Sequence, residues 1–516
     1  MGQVIHVCVA SSQAARYDCV FINLPFWKKL TKRRTRIAQV GALSLAVGII
    51  ACAIGVALPL HDLALAPADP RALLIDGISI VDVRQGVVRP DQTIVIEHER
   101  IVYAGATSDA PRADGARYIS GAGKFAMPGL WDMHVHTVDL SPQLHFPLLI
   151  ATGVTSVRDM GDGCSFGGEL DCKPVAQDWI KLISAHAMLA PRLVATASYH
   201  VEELEDGIVA ALKARGDRLL KLQLERDSAP AQFHLLVRQA QQAGMVAAGH
   251  LPFSVDLLDP QLGPYHSIEH DESLLPQCSP PGGGFDGRTA SKVALLERGD
   301  KARCGAVLSL MRARGIGYVP THVGSSHQDW IIPRGDYKRD ARLRFIPLPQ
   351  RLAWRAYAAV TSAGTSDDDV APIEQWYHAA LKLTAQAQAA GVAVMAGSDA
   401  IDAYVTHGFG LHDELAQLVK AGLTPAQALR AATLTPAQHM GRNDLGSVET
   451  GKVADIVIVL RNPLDDIANA GAIDSVIVEG RLHERKALDA MLSFVEEQAS
   501  SFSVNCKFLW AMLKPW

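Results

Sequence analysis

The sequence contains no Cys-x-x-Cys pair, so neither a zinc ribbon nor a dithiol redox motif is indicated. It has no long basic run outside its N-terminus and a formal net charge of only −5, which argues against nucleic acid as a partner. It also lacks any internal repeat of short period. What it has is 516 residues, 48% of them hydrophobic and 20% charged, the profile of a globular protein able to bury a sizeable core. That length suits one large α/β domain with an appendage, or two or three smaller domains.

One apolar run stands apart. Residues 37–60, "IAQVGALSLAVGIIACAIGVALPL", carry no charge. As a helix the run would be about 36 Å long, enough to cross a bilayer core of about 30 Å. The basic stretch "KKLTKRRTR" precedes it, an order that keeps the flank in the cytoplasm and sends the rest of the chain out. A cleaved signal peptide gives the same direction of export, and "IIAC" resembles a lipoprotein cleavage site that would leave Cys52 as a lipidated N-terminus. The expectation is an exported protein, periplasmic or on the outer face of the membrane, with a membrane contact through this segment if it is retained. In such a compartment Cys164 with Cys172, and Cys278 with Cys304, could each close a loop by a disulfide; free thiols are the alternative.

Short alternating runs, "ALLIDGISIVDV", "VVRPDQTIVIEHERIVYAG" and "ARYISGAGKFAMPG", read as antiparallel strands, and "VADIVIVL" with "AIDSVIVEGRLH" match them near the other end. Strands from both ends are expected to form one small β domain. Between them, eight apolar runs alternate with helical stretches: "LWDMHVHT", "VTSVRDM", "RLVATAS", "RLLKLQL", "MVAAGHL", "HSIEHDE", "GYVPTHV" and "VAVMAGSDA". Eight parallel βα units suggest a closed (β/α)8 barrel, with its chemistry at the C-terminal ends of the strands.

The polar residues at those ends test the idea. His134 and His136 lie two apart, so on a strand they point to one face, and neutral imidazole is the commonest metal ligand. An isolated pair of this kind is more often a satisfied or exposed pair of histidines. Here Lys221 sits in the fourth run, His250 ends the fifth, His270 the sixth and Asp399 the eighth. Ligand-type side chains thus recur at similar positions on several strands.

The order H-x-H, Lys, His, His, Asp, with "VTSVRDMGD", "HSIEHDES", "GSDA" and the segment from "ELAQLVKAGLTPAQALRAATLTPAQHMG" to "GSVETGKVADIVIVLRNPLDDI", resembles the amidohydrolase superfamily, over roughly Ala72 to Leu492. Within it the motifs are similar to the imidazolonepropionase-like branch, which includes Xaa-Pro dipeptidases. The resemblance implies an α/β fold, a TIM-like barrel (129–435) with a small β-sandwich built from 72–128 and 436–487; outside it lie the basic leader (1–36), the transmembrane or signal segment (37–60) and an expected helical tail (488–516). It implies two divalent metals, usually zinc. His134, His136 and Asp399 match the ligands of one, His250 and His270 those of the other, and Lys221 matches a lysine that reacts with carbon dioxide to form a bridging carbamate.

The reaction so implied is hydrolysis of an amide C–N bond in a dipeptide, N-acyl amino acid or cyclic amide, with a small-molecule substrate and no nucleic acid. A metal lowers the pKa of water from 15.7 to about 7, and the hydroxide attacks the carbonyl. Asp399 would take the water's proton and pass it to the leaving nitrogen. Tyr199 and His200, after the third strand, and His322, after the seventh, are candidates for contact with substrate. Trp330 and Tyr337 could wall the pocket, and Arg158 reads as a structural residue that bonds other loops. A mononuclear imidazolonepropionase-like hydrolase or deaminase is the alternative. Such enzymes place a Glu near the fifth-strand histidine, and "GHLPFSVD" offers none. A non-catalytic membrane-associated binding protein is the third reading. The apolar tail "FSVNCKFLWAMLKPW" could pack on the barrel or at a contact between copies in a homo-oligomer.

Overall fold

Between Leu130 and Ala400 the chain repeats one parallel step eight times. The computed structural model describes residues 46–513 except 64–68, 70, 112–114, 162–174, 225–227, 281–284, 327–331 and 333–334, together with the strand positions 5–9 and 18–22. The first two barrel strands, Leu130–Val135 and Val154–Asp159, are buried at every position, as parallel strands covered on both faces must be. The third comes in two pieces: Arg192–Thr196 pairs with the second strand, and His200–Val201 pairs with the fourth, Leu219–Leu222. Val246–Gly249, Ser267–Glu269 and Gly317–Val319 follow in parallel register. The eighth segment is held by single bridges from Val394 to Tyr318 and from Ala400 to Val135, which return the ring to its first strand. All eight expected runs therefore carry barrel positions.

The covering helices present one apolar stripe. In Pro230–Gln242 the buried residues Phe233, Leu236, Val237 and Ala240 recur at helical spacing and pack into the main core. Cys278 and Cys304 are joined by a disulfide that closes the loop beyond the sixth strand. Cys164, Cys172 and Trp330 lie outside the described residues.

Strands from both ends of the chain make one eight-stranded sheet. Phe125–Pro128 is its seam, pairing in parallel with Ser79 and Ile80 and antiparallel with Ile456–Val459. Ile75, Ile78, Ile94, Ile96, Ile456, Ile458 and Ile477 share one core, so the sheet coils around residues from both termini.

Both the apolar run and the C-terminal tail form helices. Residues 37–45 of the apolar run lie outside the described residues; residues 46–57 form a helix that ends ahead of Pro59, whose ring disfavours helix in the residue before it. Among the described residues no helix is long and apolar enough to cross a membrane. The tail forms two helices, Arg485–Ser500 and Phe502–Leu513. Val495, Ala499 and Val504 pack with Leu140, Leu144 and Leu148, in the helical segment that follows the first barrel strand.

Candidate metal centre

The first strand sends Asp132, His134 and His136 to one face in ascending layers. Asp132, the lowest, accepts from the Ser398 backbone N–H at 2.9 Å and the Ser398 hydroxyl at 2.6 Å, which ties strand one to strand eight. Burial pushes the Asp132 carboxyl up to about 7. Above it, His134 Nε2 lies 3.3 Å and His136 Nε2 3.2 Å from the same Asp399 oxygen, Oδ1. The ligand atoms of these three buried residues all fall within 4.8 Å of one another.

Lys221 rises from the fourth strand, 1% exposed, with its Nζ 3.4 Å from His134 Nε2. Burial pulls its pKa down to about 8, against the opposing pull of Glu269 and Asp399. His270 Nδ1 lies 3.4 Å from Asp399 Oδ2, and the His270 ring centroid is 4.6 Å from that of His134 and 4.5 Å from that of His250. The six residues named from the sequence thus converge on one cup.

Their backbones explain how. His270 and Asp399 both have positive φ, 67° and 56°, where a side chain is rare and costs of order 1 kcal/mol or more. The turn at His270 breaks strand alternation, so the consecutive residues Glu269 and His270 both reach the site. The turn at Asp399 does the same for Ser398 and Asp399.

Glu269 escaped the sequence reasoning. Fully buried, it accepts from Arg158 Nη2 at 2.7 Å and from the Ser267 hydroxyl, and its other oxygen lies 2.9 Å from His134 Nδ1. A carboxylate behind an imidazole holds the proton on Nδ1 and leaves the Nε2 lone pair facing the cup. The only local signal was a Ser-x-Glu alternation inside an apolar run. Arg158 also donates to the Met133 carbonyl at 2.8 Å, a structural place as expected.

Other candidates fall differently. His200 lies beside the cup, its ring centroid 5.5 Å from that of His136, with its Nε2 2.9 Å from the Met160 carbonyl oxygen. Tyr199 packs partly buried against the main core. His322 does not join the cluster: it is fully buried, its Nε2 2.8 Å from the Thr384 hydroxyl and its Nδ1 3.4 Å from Asp271. Its neighbour Thr321, at φ 49°, turns the chain and places its hydroxyl 2.7 Å from His270 Nδ1. Tyr337 packs against Tyr404 with ring centroids 4.2 Å apart and the rings tilted by 41°.

The donor set fits divalent metal. Burial keeps the His134 and His270 imidazoles below their usual pKa, so they offer neutral nitrogen. Burial alone would raise the Asp399 carboxyl, but His270, His136 and Lys221 outweigh it and hold it ionised, well below the usual range. Neutral imidazoles and a carboxylate converging in a buried cup are the ligand chemistry of zinc and its neighbours.

Comparison with known proteins agrees. Residues 381–483 match the family model described as the amidohydrolase family. An adenine deaminase 2 of Agrobacterium fabrum is 26% identical over 396 residues, covering 75% of this chain and 53% of that protein. The chain thus spans about half the length of that curated relative. Among solved structures, a bottromycin amidohydrolase superposes with a TM-score of 0.66 at 22% identity, over 84% of this chain and 91% of its own. An Xaa-Pro dipeptidase with bound methionine in its active site gives 0.54 at 21% identity, over 80% and 100%. The chain has a TIM-barrel-like fold shared with solved amidohydrolases, and its residues 381–483 match the amidohydrolase family.

Proposed function

We propose that this protein is a metal-dependent amidohydrolase that cleaves an amide C–N bond in a dipeptide, N-acyl amino acid or cyclic amide. His134, His136 and Asp399 would hold one divalent cation, His250 and His270 a second, and Lys221 would bridge them as its carbamate. When bound, the cations, zinc by the donor set, supply Lewis acidity for the carbonyl and acidify water to near neutral pKa. The chain's own residues do the rest. Glu269 keeps His134 in the tautomer that presents Nε2. Asp399, at the mouth of strand eight, takes a proton from water and returns it to the departing nitrogen. Lys221 carries the reading: a one-metal deaminase site needs no lysine, and this one is buried with its Nζ 3.4 Å from His134 Nε2. Export from the cytoplasm belongs to the same proposal, and the Cys278–Cys304 disulfide supports it.

The second reading is deamination, favoured by the name of the Agrobacterium relative. The test gives zinc-loaded and chelator-treated protein a panel of Xaa-Pro dipeptides, N-acyl amino acids, lactams and adenine. Chelator-sensitive release of an amino acid or ring-opened acid supports the proposal. Ammonia from adenine replaces it with the deaminase. Failure to turn over any member of the panel returns the chain to a binding role.

A further inference from the structure

The two ends of the chain meet along a seam the catalytic reading does not use. The helix at residues 46–57 lies against the C-terminal helix Phe502–Leu513. The Ser503 hydroxyl donates to the Gly55 carbonyl at 2.7 Å, and the Lys507 ammonium donates to the Val56 carbonyl. A Cβ on Gly55 would sit 3.0 Å from Phe502 Cε1 and 3.1 Å from Cys506 Sγ, so glycine is what permits this approach. One turn back from Gly55 stands Cys52, near enough to Cys506 that it adds to burial in pushing the Cys506 thiol up to about 11. Apart from the joined Cys278 and Cys304, the structure gives these two as free cysteines, Cys506 buried and Cys52 partly exposed.

We propose that Cys52 and Cys506 are a disulfide-forming pair that, once oxidised, staples the N-terminal helix to the C-terminal helix. Cys52 and Cys506 stand on two helices that pack against each other although nearly the whole chain separates them. The staple has a target. The C-terminal helices cover Leu140, Leu144 and Leu148, in the helical segment that follows the His134–His136 strand, and Gln143 of that segment donates to Asp62, just beyond the N-terminal helix. Joining the helices fixes both ends of the chain over that segment.

The chemistry is thiol–disulfide exchange with a low-molecular-weight disulfide. The Cys52 thiolate, the more accessible, attacks the oxidant's S–S bond, forming a mixed disulfide and releasing one thiolate. The Cys506 sulfur then attacks the Cys52 sulfur, closing the protein disulfide and releasing the second thiolate. The two protons given up by the protein end on the two released thiols, and the oxidant takes both electrons. A lipid thioether on Cys52 would consume the same sulfur, so lipidation and the staple exclude one another.

The experiment treats the full chain with oxidised glutathione, blocks free thiols, and maps peptides without reduction. The expected result is a Cys52 peptide linked to a Cys506 peptide, recovered beside the linked Cys278–Cys304 peptides that serve as the internal control. Cys52→Ser and Cys506→Ser variants each lose that link while keeping the wild-type circular dichroism. Oxidation raises the melting temperature of the wild type by roughly 5 °C and leaves the variants unmoved, because closing so long a loop restricts the unfolded chain. Blocked, unlinked Cys52 and Cys506 in a digest that yields linked Cys278–Cys304 overturns the proposal, as does a mature chain that begins at a lipidated Cys52.

Discussion

Lys221 Nζ sits 3.4 Å from His134 Nε2, across 87 residues of sequence, and both side chains are buried. An ammonium there would repel any cation held by the four imidazoles, whereas a carbamate would attract two. Lys221→Met keeps the apolar stem and removes the amine. Elemental analysis is expected to find about two metals per wild-type chain and about one or fewer in the variant, with turnover lost. Full metal content and activity in the variant would remove Lys221 from the centre.

Asp399→Asn tests the proton carrier. Asn keeps the shape and one acceptor but can neither hold a charge beside His134 and His136 nor relay a proton. Turnover should fall by about 10²–10⁴-fold, the usual worth of general acid–base catalysis. The circular dichroism spectrum should stay that of the wild type. Activity within a few-fold of wild type would assign the relay elsewhere.

Glu269 joins two tasks, holding His134 and neutralising Arg158. Glu269→Gln leaves the guanidinium buried without a counter-charge, a loss expected to cost about 3 kcal/mol in denaturant unfolding. Metal affinity should drop 10–100-fold as His134 loses its orienting carboxylate. The double variant Arg158→Met, Glu269→Met separates the two tasks: stability should return toward wild type while metal affinity stays low.

The barrel was legible because parallel strands buried on both faces are continuous apolar runs, and five of the eight runs here carry a ligand-type side chain. His134, His136, Lys221, His250, His270 and Asp399 could be named for that reason. Glu269 and Ser398 could not, because each precedes a residue whose positive φ cancels strand alternation, and dihedrals leave no mark in composition. The same effect exchanged Thr321 for His322 at the seventh strand. The helix at residues 46–57 was legible as an apolar run; that Gly55 and Val56 on it meet Ser503 and Lys507 was not, because contacts between the two ends of a chain leave no local pattern.

Gly397 marks where strand eight crowds strand one. A Cβ there would lie 2.5 Å from Val319 Cγ1 and 2.9 Å from His134 Cβ, so Gly397→Ala must displace the metal-facing strand. The expected cost is about 1–3 kcal/mol, with weakened metal binding. Gly305→Ala is the contrasting variant. It lies inside the helix Lys301–Arg314 with nothing within 4 Å of a new Cβ, and should stabilise by about 1 kcal/mol. Equal effects at the two sites would remove close packing as the explanation for Gly397.

Glu414 supplies a pH dependence remote from substrate. It is fully buried on the helix Phe409–Lys420, where it accepts from the Val323 backbone N–H at 2.8 Å. Burial, opposed by His322 and this hydrogen bond, lifts its carboxyl from 4.5 to about 7. A folded-state pKa above the unfolded one means the native state holds the proton more tightly. Its contribution is therefore complete below about pH 4.5 and is lost as pH rises through 7. The shift corresponds to roughly 3 kcal/mol at full deprotonation. Glu414→Gln keeps an acceptor for Val323 and removes the ionisation, so the variant should lose less stability than wild type between pH 5 and pH 8. Urea unfolding of both proteins across that range, under identical metal conditions, measures the difference. A constant gap between the two curves would mean that Glu414 does not titrate in the folded protein within this window.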